Sequence, residues 1–233
     1  MIFSSLATIL VIGLVSAVTA KTDRVKPESA TTETVKKESK ASAAKLPLTK
    51  MEAPAGKEYA TFAPGCFWSM EAIFKQLKGV EKVETGYAGG KIADPGYEKV
   101  ETGTTGHAET INILFDPATI SYSELLTVLL TLRNPTTLNK QEPDVGPQYR
   151  SVIFAHSPEQ QKAAQDTIAK FTQEHIWPNP IVTEVTKFSN FYRAEAYHLD
   201  YYRLHPNEPY CAKVIAPEIA DFQKKFKNQL KSQ

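Results

Sequence analysis

Polar and apolar residues alternate over residues 80–87 and again over 109–115, where Ile111, Ile113 and Phe115 share one side, and each stretch predicts a strand. The apolar runs 58–63, 149–155 and 181–185 read as three further strands. Between them the spacing changes to that of helices. Residues 67–77 set Ile73, Phe74 and Leu77 on one face and stop at Gly79, while Ser121 with Glu124 forms a capping box ahead of Leu125, Val128, Leu129 and Leu132. Ser157-Pro158 with Gln160 opens a helix to about Phe171, and 194–204 and 217–230 are helical in pattern. Strands interleaved with helices predict an α+β two-layer sandwich, one mixed β-sheet with helices packed against it, as in variants of the ferredoxin-like arrangement. Two connections, 88–106 and 134–148, are long and carry Gly and polar residues. Neither continues into a phosphate-binding signature, so their glycines are expected to serve turns.

The pattern is different at the N-terminus. Residues 1–20 contain no charged side chain, are apolar from Leu6 to Val18 and end in Thr19-Ala20, as in an export leader cleaved after Ala20. Export would place the protein in the periplasm or outside the cell. An uncleaved membrane anchor is the alternative, because the run approaches the minimum of about 17 residues for a span and no Lys or Arg precedes it. Residues 21–56, rich in Lys, Ser and Thr, bury too little apolar surface to offset ordering and read as a disordered tether. The folded, catalytic part is then expected at 57–233, as a monomer. A net charge of +1 and the absence of a basic aromatic patch argue against nucleic acid as a partner.

Candidate chemistry centres on Cys66. Pro64-Gly65 ends a strand and delivers Cys66 to the first turn of a helix, where unpaired N–H groups and the helix dipole favour a thiolate. Phe67 and Trp68 follow it and offer an apolar wall. Only one other cysteine, Cys211, is present, so a cysteine zinc site is excluded, and the pair is either a structural bridge or part of a catalytic cycle. Tyr97, His107 and Glu109 lie at the first long connection and Asp144, Gln148 and Tyr149 at the second, residue types suited to a polar pocket around a thiolate. A thiol hydrolase would instead pair Cys66 with His107, His175 or His198. A non-catalytic binding module would keep one permanent bridge.

The strings GCFW (65–68), GYAGG (86–90), TGHAE (105–109), TTLN (136–139) and GPQYRS (146–151), in this order and spacing, resemble the methionine sulfoxide reductase A family. The resemblance implies reduction of the S epimer of methionine sulfoxide, free or in oxidised proteins. It implies Cys66 as nucleophile, Glu109 as the acid assisting the sulfoxide oxygen, and Phe67 and Trp68 as the cradle of the substrate methyl. It also implies Tyr97, Asp144 and Tyr149 as groups holding substrate and oxygen, no bound cofactor or metal, and an external dithiol of thioredoxin type as reductant. Burial beside aromatics is expected to keep Glu109 protonated, and the resulting Cys66 sulfenic acid to pass to a disulfide. The chain departs from the family at several positions. Ser69 follows GCFW where Gly is usual, Arg133-Asn134-Pro135 stands in place of His-Asp-Pro, Glu142-Pro143 replaces Gly-Asn, and Glu101 occupies the position of a frequent extra Cys. The family's Gly-rich tail with two recycling cysteines does not occur, but Cys211, in Pro209-Tyr210-Cys211, lies near a family resolving position and is the expected resolving thiol; the alternative is a structural or inert cysteine, with the Cys66 sulfenic acid reduced directly by an outside thiol.

Overall fold

A computed structural model describes residues 47–232. The expected leader and most of the expected tether lie outside the described residues. Strands β1 (Glu58–Pro64), β2 (Val80–Ala88), β3 (Ala108–Phe115), β6 (Ser151–Ala155), β7 (Glu184–Lys187) and β8 (Phe191–Arg193) form one sheet in the order β7-β6-β1-β3-β2-β8. Every neighbouring pair is antiparallel except β6 with β7, so the sheet is mixed. Between β3 and β6, a two-stranded ribbon, β4 (Lys140–Gln141) and β5 (Asp144–Val145), occupies the second long connection.

Side-chain alternation sorts the strands onto two faces. Ala60 and Phe62 of β1, with Ile111, Ile113 and Phe115 of β3 and Ile153 of β6, enter the main core. Against that core pack α1 (Phe67–Phe74) through Met70, Ile73 and Phe74, and α3 (Tyr122–Leu132) through Leu125, Val128 and Leu129. The expected capping box of α3 is present, with Ser121 Oγ accepting from Glu124 N–H at 3.2 Å and Glu124 Oε2 accepting from Ser121 N–H at 2.8 Å. Helix α4 (Pro158–Gln173) begins at Ser157 as its pattern predicts. On the opposite face Ala63, Val152, Phe154, Phe188 and Phe191 form a second apolar cluster, covered by Leu48 and Met51. Leu48 exchanges backbone hydrogen bonds with Phe191 (2.9 and 3.1 Å), so packed chain begins ahead of the expected boundary at residue 57 and shields the β8 edge.

Three local expectations are corrected. The first helix ends at Phe74 rather than Leu77, and its last apolar residue instead bridges to Leu230. The first long connection contains a helix, α2 (Tyr97–Glu101). Residues 194–204 do not form one helix: after β8 come a 3-10 turn, Ala196–His198, and a short α5 (Tyr201–Leu204). Asp200, at φ 54°, breaks the run between them, and both His198 and Tyr201 turn inward to be buried. Beyond α5, a π-helical turn Cys211–Ile215 leads into α6 (Ala216–Lys225).

Candidate active site

The centre of the sheet sets the site. At the end of β1, Gly65 takes φ +82° and turns the chain into α1 with Cys66 as its N-cap. A Cβ at Gly65 would lie 2.6 Å from Cβ of Gln141, so both the backbone angle and the close approach of the β4–β5 ribbon require glycine. Helix α1 has no acidic residue in its own first turn. Its carboxylate comes from the neighbouring strand: β3 opens beside the end of β1, and Glu109 Oε2 accepts the Phe67 N–H at 3.1 Å. Cys66, Phe67 and Glu109 are each 0% exposed. Thiol, carboxyl and helix N-terminus are thus all buried at the end of β1, with the carboxyl bonded to the helix's first turn.

Aromatic rings pack at the start of α1. The Trp68 indole stacks on Tyr201 (centroids 3.9 Å apart, 11° between planes), and its N–H donates to His198 Nδ1 at 3.0 Å. His198 lies against Phe67 at 5.0 Å and Tyr97 at 4.6 Å. Glu195, on the stretch between β8 and the 3-10 turn, accepts the Tyr87 hydroxyl at 2.8 Å and the Tyr97 backbone N–H at 3.1 Å, which ties α2 to the sheet. Burial, then the Glu195 charge, pushes the Tyr87 phenol far up, so it remains a proton donor.

The second long connection contributes Asp144, whose Oδ2 accepts from Tyr210 OH at 2.7 Å. Tyr149 sits in a 3-10 turn rather than at the start of a strand, and its hydroxyl lies 2.9 and 3.0 Å from the two carboxylate oxygens of Glu101. Tyr210 meets the Trp68 ring edge-on at 6.1 Å and precedes Cys211 in the chain. Cys211 is buried, and its thiol is pushed up to about 11 by burial, then by the charges of Cys66 and Glu208. The two thiols therefore lie within electrostatic reach of each other, and they are not joined in a disulfide.

Helix α2 links two of the sequence-predicted residues: Tyr97 opens it, and Tyr149 bonds to Glu101 at its end. Sequence reasoning missed Glu195, which belongs to no recognisable string. It weighed His198 only as a base, and named Arg133 and Glu101 only as departures. His107 does not face the thiol as a base: its Nδ1 accepts from Gly90 N–H at 3.1 Å and its Nε2 meets the Ile92 carbonyl at 2.8 Å. His175 is exposed, and His198 Nδ1 is committed to Trp68.

Two buried cysteines outside any disulfide, one of them capping a helix whose first turn is bonded by a buried carboxyl rather than set beside a histidine base, fit a thiol-dependent oxidoreductase on an α+β scaffold. A family model described as peptide methionine sulfoxide reductase matches residues 58–230. Peptide methionine sulfoxide reductase MsrA of Polynucleobacter asymbioticus is 46% identical over 176 residues, 76% of this chain and 93% of that protein. The protein of the same name from Sulfolobus acidocaldarius is 49% identical over 169 residues, 72% of this chain and 95% of its own. Among solved structures, reduced Mxr1 of Saccharomyces cerevisiae matches with a TM-score of 0.64 at 33% identity, over 69% of this chain and 92% of that one. Methionine sulfoxide reductase A of Corynebacterium diphtheriae matches with 0.63 at 28% identity, over 68% and 80%. This chain belongs to the peptide methionine sulfoxide reductase family, and its chemistry is the thiol-based reduction of methionine sulfoxide.

Proposed function

We propose that Cys66 is the nucleophile, Glu109 the proton donor and Cys211 the resolving thiol in reduction of the S epimer of methionine sulfoxide. A sulfoxide sulfur is a poor electrophile until its oxygen is protonated or strongly hydrogen-bonded. Attack by the Cys66 thiolate, with a proton delivered by Glu109, moves the oxygen to sulfur: methionine leaves as the sulfide and Cys66 becomes a sulfenic acid. The Cys211 thiol then attacks the sulfenic sulfur, water leaves, and a Cys66–Cys211 disulfide forms. An external dithiol of thioredoxin type opens that disulfide and restores both thiols. Phe67 and Trp68 hold the substrate methyl against a dry wall that selects the sulfur configuration, and Tyr97, Asp144 and Tyr149 hold the substrate and its oxygen. With residues 1–20 acting as an export leader, the dithiol is supplied in the periplasm or outside the cell.

The observation that carries this reading is the 3.1 Å bond from Phe67 N–H to Glu109, which fixes a buried carboxyl at the first turn of the helix that Cys66 caps. The test uses the reduced full chain without external reductant. Added methionine S-sulfoxide should yield one methionine per chain, loss of both thiols and a Cys66–Cys211 bridge in the peptide map, while the R epimer yields none. Methionine formed with Cys211 still free would remove the resolving role alone. No methionine from either epimer would remove the whole reading.

A further inference from the structure

Arg133, at the end of α3, is a cation in the protein interior with 4% of its side chain exposed. A guanidinium holds its charge throughout the pH range of a folded protein, so burying one needs compensating partners. Two hydrogen bonds set its position. Its Nε donates to the Pro64 carbonyl at 2.7 Å, two residues ahead of Cys66, and its Nη1 donates to Glu218 Oε1 of α6 at 2.6 Å. Its Nη2 lies 3.4 Å from where a Cβ on Gly65 would stand. The cation is therefore pressed against the backbone of the turn that presents the nucleophile. Burial works against its charge, and the charges of Glu218, then Cys66, then Tyr210 outweigh that effect. Such coupling is reciprocal: if the thiolate favours the guanidinium, the guanidinium favours the thiolate by the same amount.

We propose that Arg133 is a positioning residue that holds Cys66 as thiolate, and that Glu218 sets how much of the guanidinium charge Cys66 feels. The inference rests on Cys66 being the nucleophile. Groups around Cys66 include Glu109 from β3, Tyr210 and Cys211 from the segment leading into α6, the N-terminus of α1, and the Arg133–Glu218 pair from α3 and α6. Of these side chains the Glu218 carboxylate opposes a negative charge on Cys66, the Tyr210 phenol, the Cys211 thiol and a protonated Glu109 carry none, and Arg133 alone is a cation. Its effect is divided, because Glu218 neutralises part of it. The two substitutions at this pair should therefore move the Cys66 titration in opposite directions, which a loss of packing does not do.

The test is made in the Cys211→Ser background, with the remaining cysteine labelled with carbon-13 at Cβ, so that the NMR shift of Cys66 reports thiol and thiolate without requiring reagent access. Arg133→Met should raise the titration midpoint by about one pH unit or more, an approximately tenfold loss of thiolate at a fixed pH below it. Glu218→Gln should lower the midpoint, and Arg133→Lys should recover part of the Arg133→Met shift. Coincident midpoints in all these variants would overturn the inference. So would a midpoint raised by both Arg133→Met and Glu218→Gln. If Arg133→Met does not fold, Glu218→Gln decides alone, and an unmoved or raised midpoint counts against the proposal. Single-turnover methionine formation by the unsubstituted chain is measured alongside. Its failure would remove the catalytic reading of Cys66 and leave the titration result standing on its own.

Discussion

At the scale of single residues, the roles proposed for Cys66 and Glu109 are separable by experiment. Glu109 Oε2 accepts a backbone N–H of α1, and the role proposed for Glu109 is to deliver a proton to the sulfoxide oxygen. Replacing it by Gln keeps an acceptor for Phe67 N–H and removes the ionisable proton. Glu109→Gln should therefore slow methionine formation by about a hundredfold or more, the usual scale of a lost general acid, while alkylation of Cys66 stays within a few-fold of the parent. Equal loss of both reactions in a single-turnover assay would assign Glu109 to the thiol rather than to the oxygen. Cys66, Phe67, Trp68 and Glu109 were legible in the sequence because they lie in contiguous strings. Glu195 was not, because its two bonds, to Tyr87 and to the backbone of Tyr97, join segments about a hundred positions apart, and nothing local marks such a residue.

Among the elements, the ones with strong local signals came through. The Ser121–Glu124 box fixed the start of α3 from four residues alone, because both of its bonds are local. The stretch 194–204 misled for the opposite reason: its apolar spacing suits a helix, but His198 and Tyr201 are drawn to Trp68 from 130 and 133 positions away, and Asp200 adopts φ 54° to allow it. The same contrast separates two substitutions. Ser121→Ala removes a cap distant from the thiol and should cost about 1 kcal/mol in denaturant unfolding with single-turnover activity unchanged. Gly65→Ala forces an alanine to φ +82° and drives its Cβ against Gln141, so a strain of about 1–2 kcal/mol falls on the turn that carries Cys66. Unfolding and methionine formation should both suffer there. A Gly65→Ala protein with full single-turnover activity would show that the turn tolerates displacement of the thiol.

For the whole molecule, the second face of the sheet sets the response to acid. Thr61 donates its hydroxyl hydrogen to Asn112 Oδ1 at 2.8 Å, and the same hydroxyl oxygen is hydrogen-bonded with His156 Nε2 at 2.8 Å. The ring also stacks on Phe188 at 4.2 Å. Burial lowers the His156 pKa from 6.5 to about 4. In the unfolded chain the ring takes up a proton below about 6.5, whereas the folded chain refuses it until about 4, so the unfolded state binds more protons across that window. The stabilisation from keeping His156 neutral is complete above the unfolded value and is lost as pH falls toward 4, by up to about 3 kcal/mol. His107, also lowered by burial, has the same sign, while Glu71, raised by burial, contributes a slope of the opposite sign above its ordinary 4.5. The informative quantity is therefore the difference between the parent and His156→Gln. Urea unfolding from pH 7 to 4 should show a steeper acid loss in the parent than in the variant, the two curves converging as pH falls. Parallel curves would mean that His156 takes up its proton in the folded protein as readily as in the unfolded chain, and that acid sensitivity arises elsewhere, with the carboxylates.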